Sequence, residues 1–166
     1  MSRSQFSYTR DQLMALSRIV IEHAAKQGAT AADTEISEGV GQNVSVRQGE
    51  IETIEYNKDK GAGVTVYLGQ RRGHASTSDL SEAALKSAVE KALTIARYTA
   101  EDAAAGLPDA DRLAQNVPDL DLYHPWDLSV EEAAERARAS PRISSMPTAS
   151  ASATATPVRA TASRWR

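Results

Sequence analysis

Residues 49–81 read GEIETIEYNKDKGAGVTVYLGQRRGHASTSDLS, and they decide the fold of this chain. Apolar and polar side chains alternate in this stretch, and glycines interrupt the alternation, which is typical of short strands joined by tight turns. The predicted strands cover residues 51–56, 64–68 and 74–77, with a polar loop at 57–61 and a glycine-bounded hairpin loop at 69–73. The stretch therefore predicts a small, mostly antiparallel sheet.

A helix is predicted on each side of this sheet region. After it, Ser81 is a predicted N-cap, and Leu80 and Leu85 lie at the positions of a hydrophobic staple. This second helix should run from Glu82 to about Tyr98, with an apolar face of Leu85, Ala88, Val89, Ala92 and Ala96. The first helix is predicted over residues 11–27, with Thr9 or Asp11 as its cap, Gly28 as its left-handed stop, and an apolar face of Leu13, Leu16, Val20 and Ala24.

Two further strands are predicted between the first helix and residue 49. They cover residues 32–38 and 43–47, with turns at Gly39-Val40-Gly41 and at Gln48-Gly49. With the three strands above, the expectation is an α+β domain: a mostly antiparallel sheet of about five strands with two main helices on one face.

The chain becomes less regular after the second helix. Pro108, Pro118 and Pro125 limit the segment between them to short helical turns, as at residues 109–115. Another helix is predicted from Ser129, because Glu131 and Glu132 follow in its first turn and favour the positive end of the helix dipole.

Composition favours a cytoplasmic protein. The 166 residues contain no cysteine, which excludes disulfides, thiolate metal ligands and a cysteine nucleophile. The N-terminal sequence lacks the apolar run of a signal peptide, and no stretch approaches the roughly 20 apolar residues of a membrane span. Asn43-Val44-Ser45 matches the glycosylation pattern, which we interpret as chance in a chain without a secretion signal.

Charge divides the chain into two parts. Residues 1–135 carry a formal charge of −9, and residues 136–166 contain six arginines and no acidic residue. From Pro147 to Ser163, 13 of 17 residues are Ala, Ser or Thr, so this tail is expected to be disordered. It is either a natural disordered arm or the product of a GC-rich gene translated out of frame. The abrupt loss of acids within a predicted helix favours the second interpretation.

No residue in the sequence forms a recognisable catalytic or metal-binding motif. His23, His74 and His124 are scattered, no H-E-x-x-H element exists, and they do not predict a zinc site. We interpret His23 as a helix-surface or packing residue and His124 as a loop residue. His74 is interpreted as a half-exposed strand residue, although a ligand or substrate contact remains an alternative for it.

The other charged or glycine-rich features favour structural interpretations. Gly61-Ala62-Gly63 precedes a strand and lacks the Lys-Ser/Thr ending of a phosphate loop. Arg71-Arg72 is either a solvated hairpin tip or a contact for an anion. Glu50, Glu52 and Glu55 are interpreted as the solvated side of a strand that protects a sheet edge. The dilute arginines of the tail beside an acidic domain do not predict specific nucleic-acid binding.

Seven segments in a fixed order resemble the N-terminal domain of the TldD/PmbA family, and their spacing resembles the PmbA (TldE) branch. They are ISEG at 36–39, VSVRQGE at 44–50, IEYNKD at 54–59, GVTVY at 63–67, GHASTSDLS at 73–81, ARYT at 96–99 and PDLDL at 118–122. The resemblance covers roughly residues 11–134.

The resemblance implies a cytoplasmic metallopeptidase system. In this family PmbA-like and TldD-like subunits assemble, cleave unfolded peptides, and act in peptide-antibiotic maturation and antitoxin turnover. The family's zinc site lies in the C-terminal domain of the TldD-type subunit, and nothing in this chain matches its histidine motif. The resemblance therefore implies no catalytic, cofactor-binding or metal residue here, zinc in a TldD-like partner, and a truncated subunit that is inactive alone.

Two other hypotheses compete with an assembly domain. The first is a non-enzymatic binding domain whose exposed strand edge accepts an extended peptide by strand addition. The second is a small stand-alone enzyme that uses His74 with neighbouring carboxylates. Substituting His74 would abolish the second activity and leave an assembly function unchanged.

Overall fold

The computed structural model describes residues 6–112, 118, 120–121, 128–139 and 148–164, the last range as backbone alone. The elements are α1 (Arg10–Lys26), β1 (Ala31–Arg47), β2 (Glu50–Leu68), β3 (Arg71–Thr77), α2 (Glu82–Tyr98), a 3-10 turn (Ala110–Arg112), α3 (Val130–Ala139) and β4 (Thr148–Arg164). The strands form one sheet in the order β3-β2-β1-β4. The fold is therefore α+β, as predicted.

The expected five strands are wrong, because two long strands replace four of the predicted short ones. The predicted turn at residues 39–41 is extended backbone inside β1, where Val40 is buried. The absence of a side chain at Gly39 lets Asp59 approach closely there, since a Cβ on Gly39 would lie 2.8 Å from Oδ1 of Asp59. The predicted polar loop at residues 57–61 is likewise part of β2. Three strands thus occupy the region in which five were predicted.

The helix ends follow the predicted capping chemistry. Thr9 caps α1 in a capping box with Gln12, so that each side chain accepts a hydrogen bond from the other's backbone N–H. Gly28 follows the C-cap of α1 with φ of +87°, a conformation that suits glycine. The Ser81 hydroxyl accepts from the Ala84 N–H at 3.3 Å and starts α2.

The two hairpin turns fix the sheet in its observed register. Gln48 and Gly49 both have positive φ, 53° and 88°, which matches the type I′ turn of a two-residue hairpin. Gly69 starts the second turn, and β3 already begins at Arg71, earlier than predicted. β2 and β3 then pair antiparallel from Leu68 opposite Arg71 to Ala62 opposite Thr77.

The chain divides into two compact units, of which the larger contains residues 7–38, 60–119 and 158–166. In its described part, α1 and α2 pack on one face of the sheet. The core consists of alternate strand residues and the apolar faces of both helices: Leu13, Val20, Ile21, Ala24, Ala32, Ile36, Ala62, Val64, Val66, Leu80, Leu85, Ala88, Val89, Ala92, Leu93 and Ala96. The apolar faces predicted from helical spacing are thus the buried faces.

The smaller unit contains residues 1–6, 39–59 and 120–157. Among its described residues, α3 covers the end of β1. Ala133, Ala134 and Ala137 of this helix are buried against Val44 and Val46. The small alanine side chains let the helix approach the strand closely.

The C-terminal part contains two further elements. α3 continues to Ala139, past the predicted domain boundary at residue 135. Residues 148–164 are an extended strand, β4, beside β1. The disordered tail and the domain boundary at residue 135 remain predictions. The out-of-frame interpretation remains a prediction.

Candidate functional site

A polar groove lies on the face of the sheet opposite α1 and α2, in the larger unit. It has a volume of about 730 Å³. Residues of β1, β2 and β3, together with Ser78 after β3, line it, and Ala62 among them also belongs to the core: Asp33, Glu35, Ser37, Lys60, Gly61, Ala62, Gly63, Thr65, His74, Ser76, Thr77 and Ser78. The period of two in the strands brings these side chains together. Gly61-Ala62-Gly63 thus forms part of a groove floor and not a phosphate loop.

His74 is the histidine of this groove. It lies in β3 directly opposite Thr65 of β2, and its Nδ1 is 3.1 Å from the Thr65 hydroxyl oxygen. The side chain is exposed, as expected for a strand histidine on the polar face. The stand-alone-enzyme hypothesis pairs His74 with neighbouring carboxylates, and the structure places the Thr65 hydroxyl at its Nδ1.

His23, the other histidine that the structure describes, does not join His74. His23 of α1 has its Nε2 3.4 Å from Oε1 of Glu90 in α2, so it lies between the two helices, in agreement with the predicted packing or surface role. His124 lies outside the described residues. Within the part of the chain that the structure describes, no group of three or more His, Cys, Asp or Glu residues is arranged to hold a metal ion.

Arg71 contacts its own chain. Its guanidinium donates to the carbonyl of Arg97 at 3.2 Å and lies 3.3 Å from a carboxylate oxygen of Glu101. A positive charge at the end of α2 is favoured by the helix dipole. Arg71 therefore fastens the β2–β3 turn to the end of α2, while Arg72 is exposed.

Glu38 is a buried carboxylate that the sequence analysis missed. It is 1% exposed, and its two oxygens accept hydrogen bonds from the backbone N–H groups of Ser7 and Tyr8 at 2.9–3.1 Å. It therefore holds the segment that leads into α1. The signal was its position in β1, because Glu38 follows Ala32, Thr34 and Ile36 in the core-facing alternation.

The outer half of β2, residues 50–60, is exposed on both faces. It carries the large apolar side chains Ile51, Ile54 and Tyr56, which are 40%, 51% and 60% exposed. β3 pairs only with residues 62–68 of β2. In the described part of the chain, the outer half of β2 therefore has a free edge on that side.

The acidic residues on this strand make contacts within the hairpin. Glu52 lies 3.2 Å from the guanidinium of Arg47, and Asn43 donates a hydrogen bond to Glu55 at 3.4 Å. Both contacts are solvent-exposed, so each contributes little to stability. The glutamates are thus solvated, as predicted, while their protection of a sheet edge stays a prediction.

Among the residues that the structure describes, three carboxylates have lowered pKa values, and all three lie at helix starts. A backbone hydrogen bond from Ser81 lowers the pKa of Asp79, and one from Ser129 lowers the pKa of Glu132. A hydrogen bond with Lys86 lowers the pKa of Glu82. These shifts reflect capping and surface pairing, and none belongs to the polar groove.

Comparison with known proteins gives one consistent family. Residues 32–96 match the family model described as PmbA/TldA metallopeptidase domain 1. The chain is 49% identical over 117 residues to the metalloprotease PmbA homolog of Haemophilus influenzae, covering 70% of this chain and 26% of that protein. It is 47% identical over 106 residues to the metalloprotease PmbA of Escherichia coli O157:H7, covering 64% of this chain and 24% of that protein.

Solved structures show the same fold. A Bacteroides thetaiotaomicron protein described as a candidate modulator of DNA gyrase superposes with a TM-score of 0.72 at 20% identity, over 92% of this chain and 39% of that one. TldE from Thermococcus kodakarensis superposes with a TM-score of 0.66 at 15% identity, over 89% of this chain and 34% of that one.

The fold is that of an α+β domain that occurs as one part of longer proteins. The chain spans about a quarter of the length of the curated relatives that it matches. It belongs to the PmbA/TldD metallopeptidase family through the N-terminal domain of that family, on the PmbA branch. The described residues include no helix with the length and apolar character of a membrane span.

Proposed function

We propose that this chain is the N-terminal assembly domain of a PmbA-type subunit and acts in the cytoplasm. It would bind a TldD-like subunit, which supplies zinc and the catalytic groups that act on unfolded peptides. The natural processes would be peptide-antibiotic maturation and antitoxin turnover. The observation that carries the proposal is the match of residues 32–96 to domain 1 of this metallopeptidase family.

The contacts of the domain support a scaffold function. The interior residues serve packing and anchoring: two helices cover one sheet face, and buried Glu38 binds the backbone that leads into α1. His74, the histidine of the polar groove, is held by a threonine hydroxyl. These features position surfaces, which suits a scaffold.

A co-purification experiment tests the assembly proposal. Tagged chain is mixed with a TldD-type subunit, and peptidase activity on an unfolded peptide is measured with and without a zinc chelator. We expect the chain to retain the TldD-type subunit and to show no chelator-sensitive activity alone. Failure to retain that subunit, or robust chelator-sensitive hydrolysis by the chain alone, would contradict the proposal.

His74→Ala provides the matched variant for this experiment. The side chain is exposed and its partner is the Thr65 hydroxyl, so the substitution should leave folding and subunit binding unchanged. Ser76→Ala, on the same strand and lining the same groove, is the control. Loss of a chain-alone hydrolytic activity in His74→Ala but not in Ser76→Ala would instead support the stand-alone enzyme.

Strand addition is a second candidate function, and the free edge of the outer half of β2 favours it. Residues 50–60 are exposed, and β3 ends its pairing at residue 62 of β2. An extended segment of another molecule could add to this edge through backbone hydrogen bonds. Amide hydrogen exchange separates the candidates, because strand addition should protect residues 50–60 when the bound molecule is present.

A further inference from the structure

The polar groove of the larger unit has a floor without side chains. Gly61 and Gly63 occupy alternate positions of β2, which lies between β3 and β1 in the sheet. On one side, Ser76 of β3 lies directly opposite Gly63. On the other side, the Thr34 hydroxyl of β1 donates to the Gly63 carbonyl at 2.8 Å. The groove is therefore a trench along β2, and β1 and β3 form its two walls.

The two walls of the polar groove differ in charge. Asp33 and Glu35 line it from β1 and are both half-buried. They occupy alternate positions of one strand, so their Cα atoms are about 6.6 Å apart, twice the rise per residue. The opposite wall consists of His74 and Ser76 of β3, which are both exposed. Two carboxylates thus face imidazole and hydroxyl groups across the glycine floor.

The positive charge of Lys60 is directed away from this acidic wall. Lys60 contributes to the lining of the groove, but its ammonium lies 5.5 Å from the centroid of the Tyr8 ring. Tyr8 packs against the core, between the sheet and the helices. The cation is therefore held on the core side of the sheet, and the carboxylates of Asp33 and Glu35 give the groove a negative charge.

We propose that the polar groove binds an alkylguanidinium group, as an arginine side chain carries, through the carboxylates of Asp33 and Glu35. A guanidinium has N–H donors on opposite edges of one plane, so a single group can donate to both carboxylates. Its flat face would lie over Gly61 and Gly63, in space that side chains would otherwise occupy. The inference goes beyond the proposed function, because it needs neither a TldD-like subunit nor zinc.

Guanidinium fits this groove better than the other common charged groups do. The two carboxylates repel phosphate and carboxylate ligands, and half-burial strengthens that repulsion. An ammonium is a compact and strongly hydrated point charge, so it gains less from two acceptors that lie on either side of a flat slot. The groove volume of about 730 Å³ falls within the range of small-molecule sites.

Titration of the 166-residue chain with Nα-acetyl-arginine amide tests the proposal. Backbone amide chemical shifts of residues 33–37 and 61–63 should change saturably, with a dissociation constant of about 1 mM, as suits a few charge-assisted hydrogen bonds. The citrulline analogue has the same shape without the charge and should bind at least tenfold more weakly. Equal binding of the citrulline analogue, or no saturable change in the groove, would overturn the proposal.

Two isosteric variants test the carboxylates. Asp33→Asn and Glu35→Gln keep the shape of each side chain and remove its charge, so each should raise the dissociation constant about tenfold. Glu22→Gln makes the same change on the exposed side of α1 and should leave binding unchanged. Unchanged binding in both groove variants would place the ligand elsewhere and contradict the assignment.

A variant that fills the floor tests where the ligand lies. A Cβ on Gly61 would have only an ordinary contact, 3.6 Å from the Thr77 carbonyl oxygen, and valine is a residue that strands favour. Gly61→Val should therefore keep the unfolding midpoint and abolish the saturable shifts. Full binding by folded Gly61→Val would refute a ligand lying over the glycines. If this variant does not fold, the two isosteric variants still decide the proposal.

Further probes identify the group and its source. Nα-acetyl-lysine amide should bind several-fold more weakly than the arginine compound, and equal binding would replace the guanidinium assignment with a general cation site. Methylguanidinium and the capped tripeptide Gly-Arg-Gly both carry the proposed group, so both should bind. Tighter binding of the tripeptide would indicate an arginine within a peptide as the natural ligand, whereas tighter binding of methylguanidinium would indicate a free guanidine compound.

Discussion

Gly73 of β3 lies directly beneath the backbone of α2, in contact range of the Ala92 carbonyl. A Cβ added to Gly73 would meet Ala92 O and would lie 2.6 Å from the nitrogen of Ala96. Neither atom can move aside, because both belong to the helix backbone. The absence of a side chain at Gly73 therefore sets how closely α2 packs on the sheet.

Gly73→Ala should destabilise the domain by about 1–3 kcal/mol, the usual cost of overpacking a close-packed core. Gly106→Ala is the control, since a Cβ there has no neighbour within 4 Å. Urea unfolding monitored by circular dichroism measures both. If Gly73→Ala were as stable as Gly106→Ala, the close contact between β3 and α2 would be wrong.

Glu38→Ala should destabilise the domain more than an exposed glutamate substitution does. The change leaves the N–H groups of Ser7 and Tyr8 without the carboxylate that accepts from both. Loss of a buried charged acceptor costs about 1–3 kcal/mol. Glu22→Ala on the exposed side of α1 serves as the control.

Hydrogen exchange gives Glu38→Ala a local readout. The amides of Ser7 and Tyr8 should exchange faster in this variant at neutral pH, where unmodified protein protects them through the carboxylate. Unchanged protection of both amides would show that Glu38 does not hold this segment.

The sequence predicted the helices well because their signals are local. The caps Thr9 and Ser81, the stop at Gly28 and the two apolar faces each depend on a few neighbouring residues. Capping and helical periodicity act over one or two turns. For that reason the structure reproduces these elements almost as predicted.

The strands were predicted less well because glycine and polar residues occur both in turns and inside strands. Gly39 and residues 57–61 look like turn signals in isolation, yet both lie inside long strands. Only the fold shows that Gly39 faces Asp59 and that Gly73 faces α2. The same holds for Glu38, whose acceptance of the Ser7 and Tyr8 amides joins residues about 30 positions apart.

The candidate site was predicted only in part. The sequence identified His74 and the three glutamates of β2. It could not show that His74 faces Thr65, or that β3 stops pairing at residue 62 and leaves Glu55 beside a free edge in the described part of the chain. These facts depend on strand register, which periodicity alone does not fix.

Asp79 should make the start of α2 sensitive to acid. Its carboxylate accepts a hydrogen bond from the Ser81 N–H at 2.8 Å, and that bond lowers its pKa below the usual 3.8. A carboxyl group with a lowered pKa stabilises the fold fully above its unfolded pKa, and the stabilisation is lost as pH falls through the folded value.

Asp79→Asn removes this titration and provides the test. The stability difference between the unmodified chain and Asp79→Asn should be constant near neutral pH and should shrink as pH falls below about 4. Thermal unfolding at a series of pH values measures it. A stability difference that does not change with pH would mean that the hydrogen bond from Ser81 does not lower the pKa of Asp79.

Gly39→Ala distinguishes a strand from a turn at the position where the sequence prediction was wrong. In the structure Gly39 has no positive φ, and a Cβ on it would meet only the end of the Asp59 side chain, with Oδ1 at 2.8 Å. That carboxylate can rotate away, so Gly39→Ala should change stability by less than about 1 kcal/mol. A turn glycine with positive φ would instead lose more than that.

The double variant of Gly39→Ala and Asp59→Ala shows whether alanine at position 39 stabilises or destabilises the chain once the close contact is removed. In an Asp59→Ala background the close contact is gone, and Gly39→Ala should then stabilise the chain by about 0.5–1 kcal/mol, because alanine loses less backbone entropy than glycine in a strand. A double-mutant cycle by urea unfolding measures the coupling between the two positions. Destabilisation by Gly39→Ala in both backgrounds would restore the predicted turn and divide β1 into the two short strands that its sequence pattern indicates.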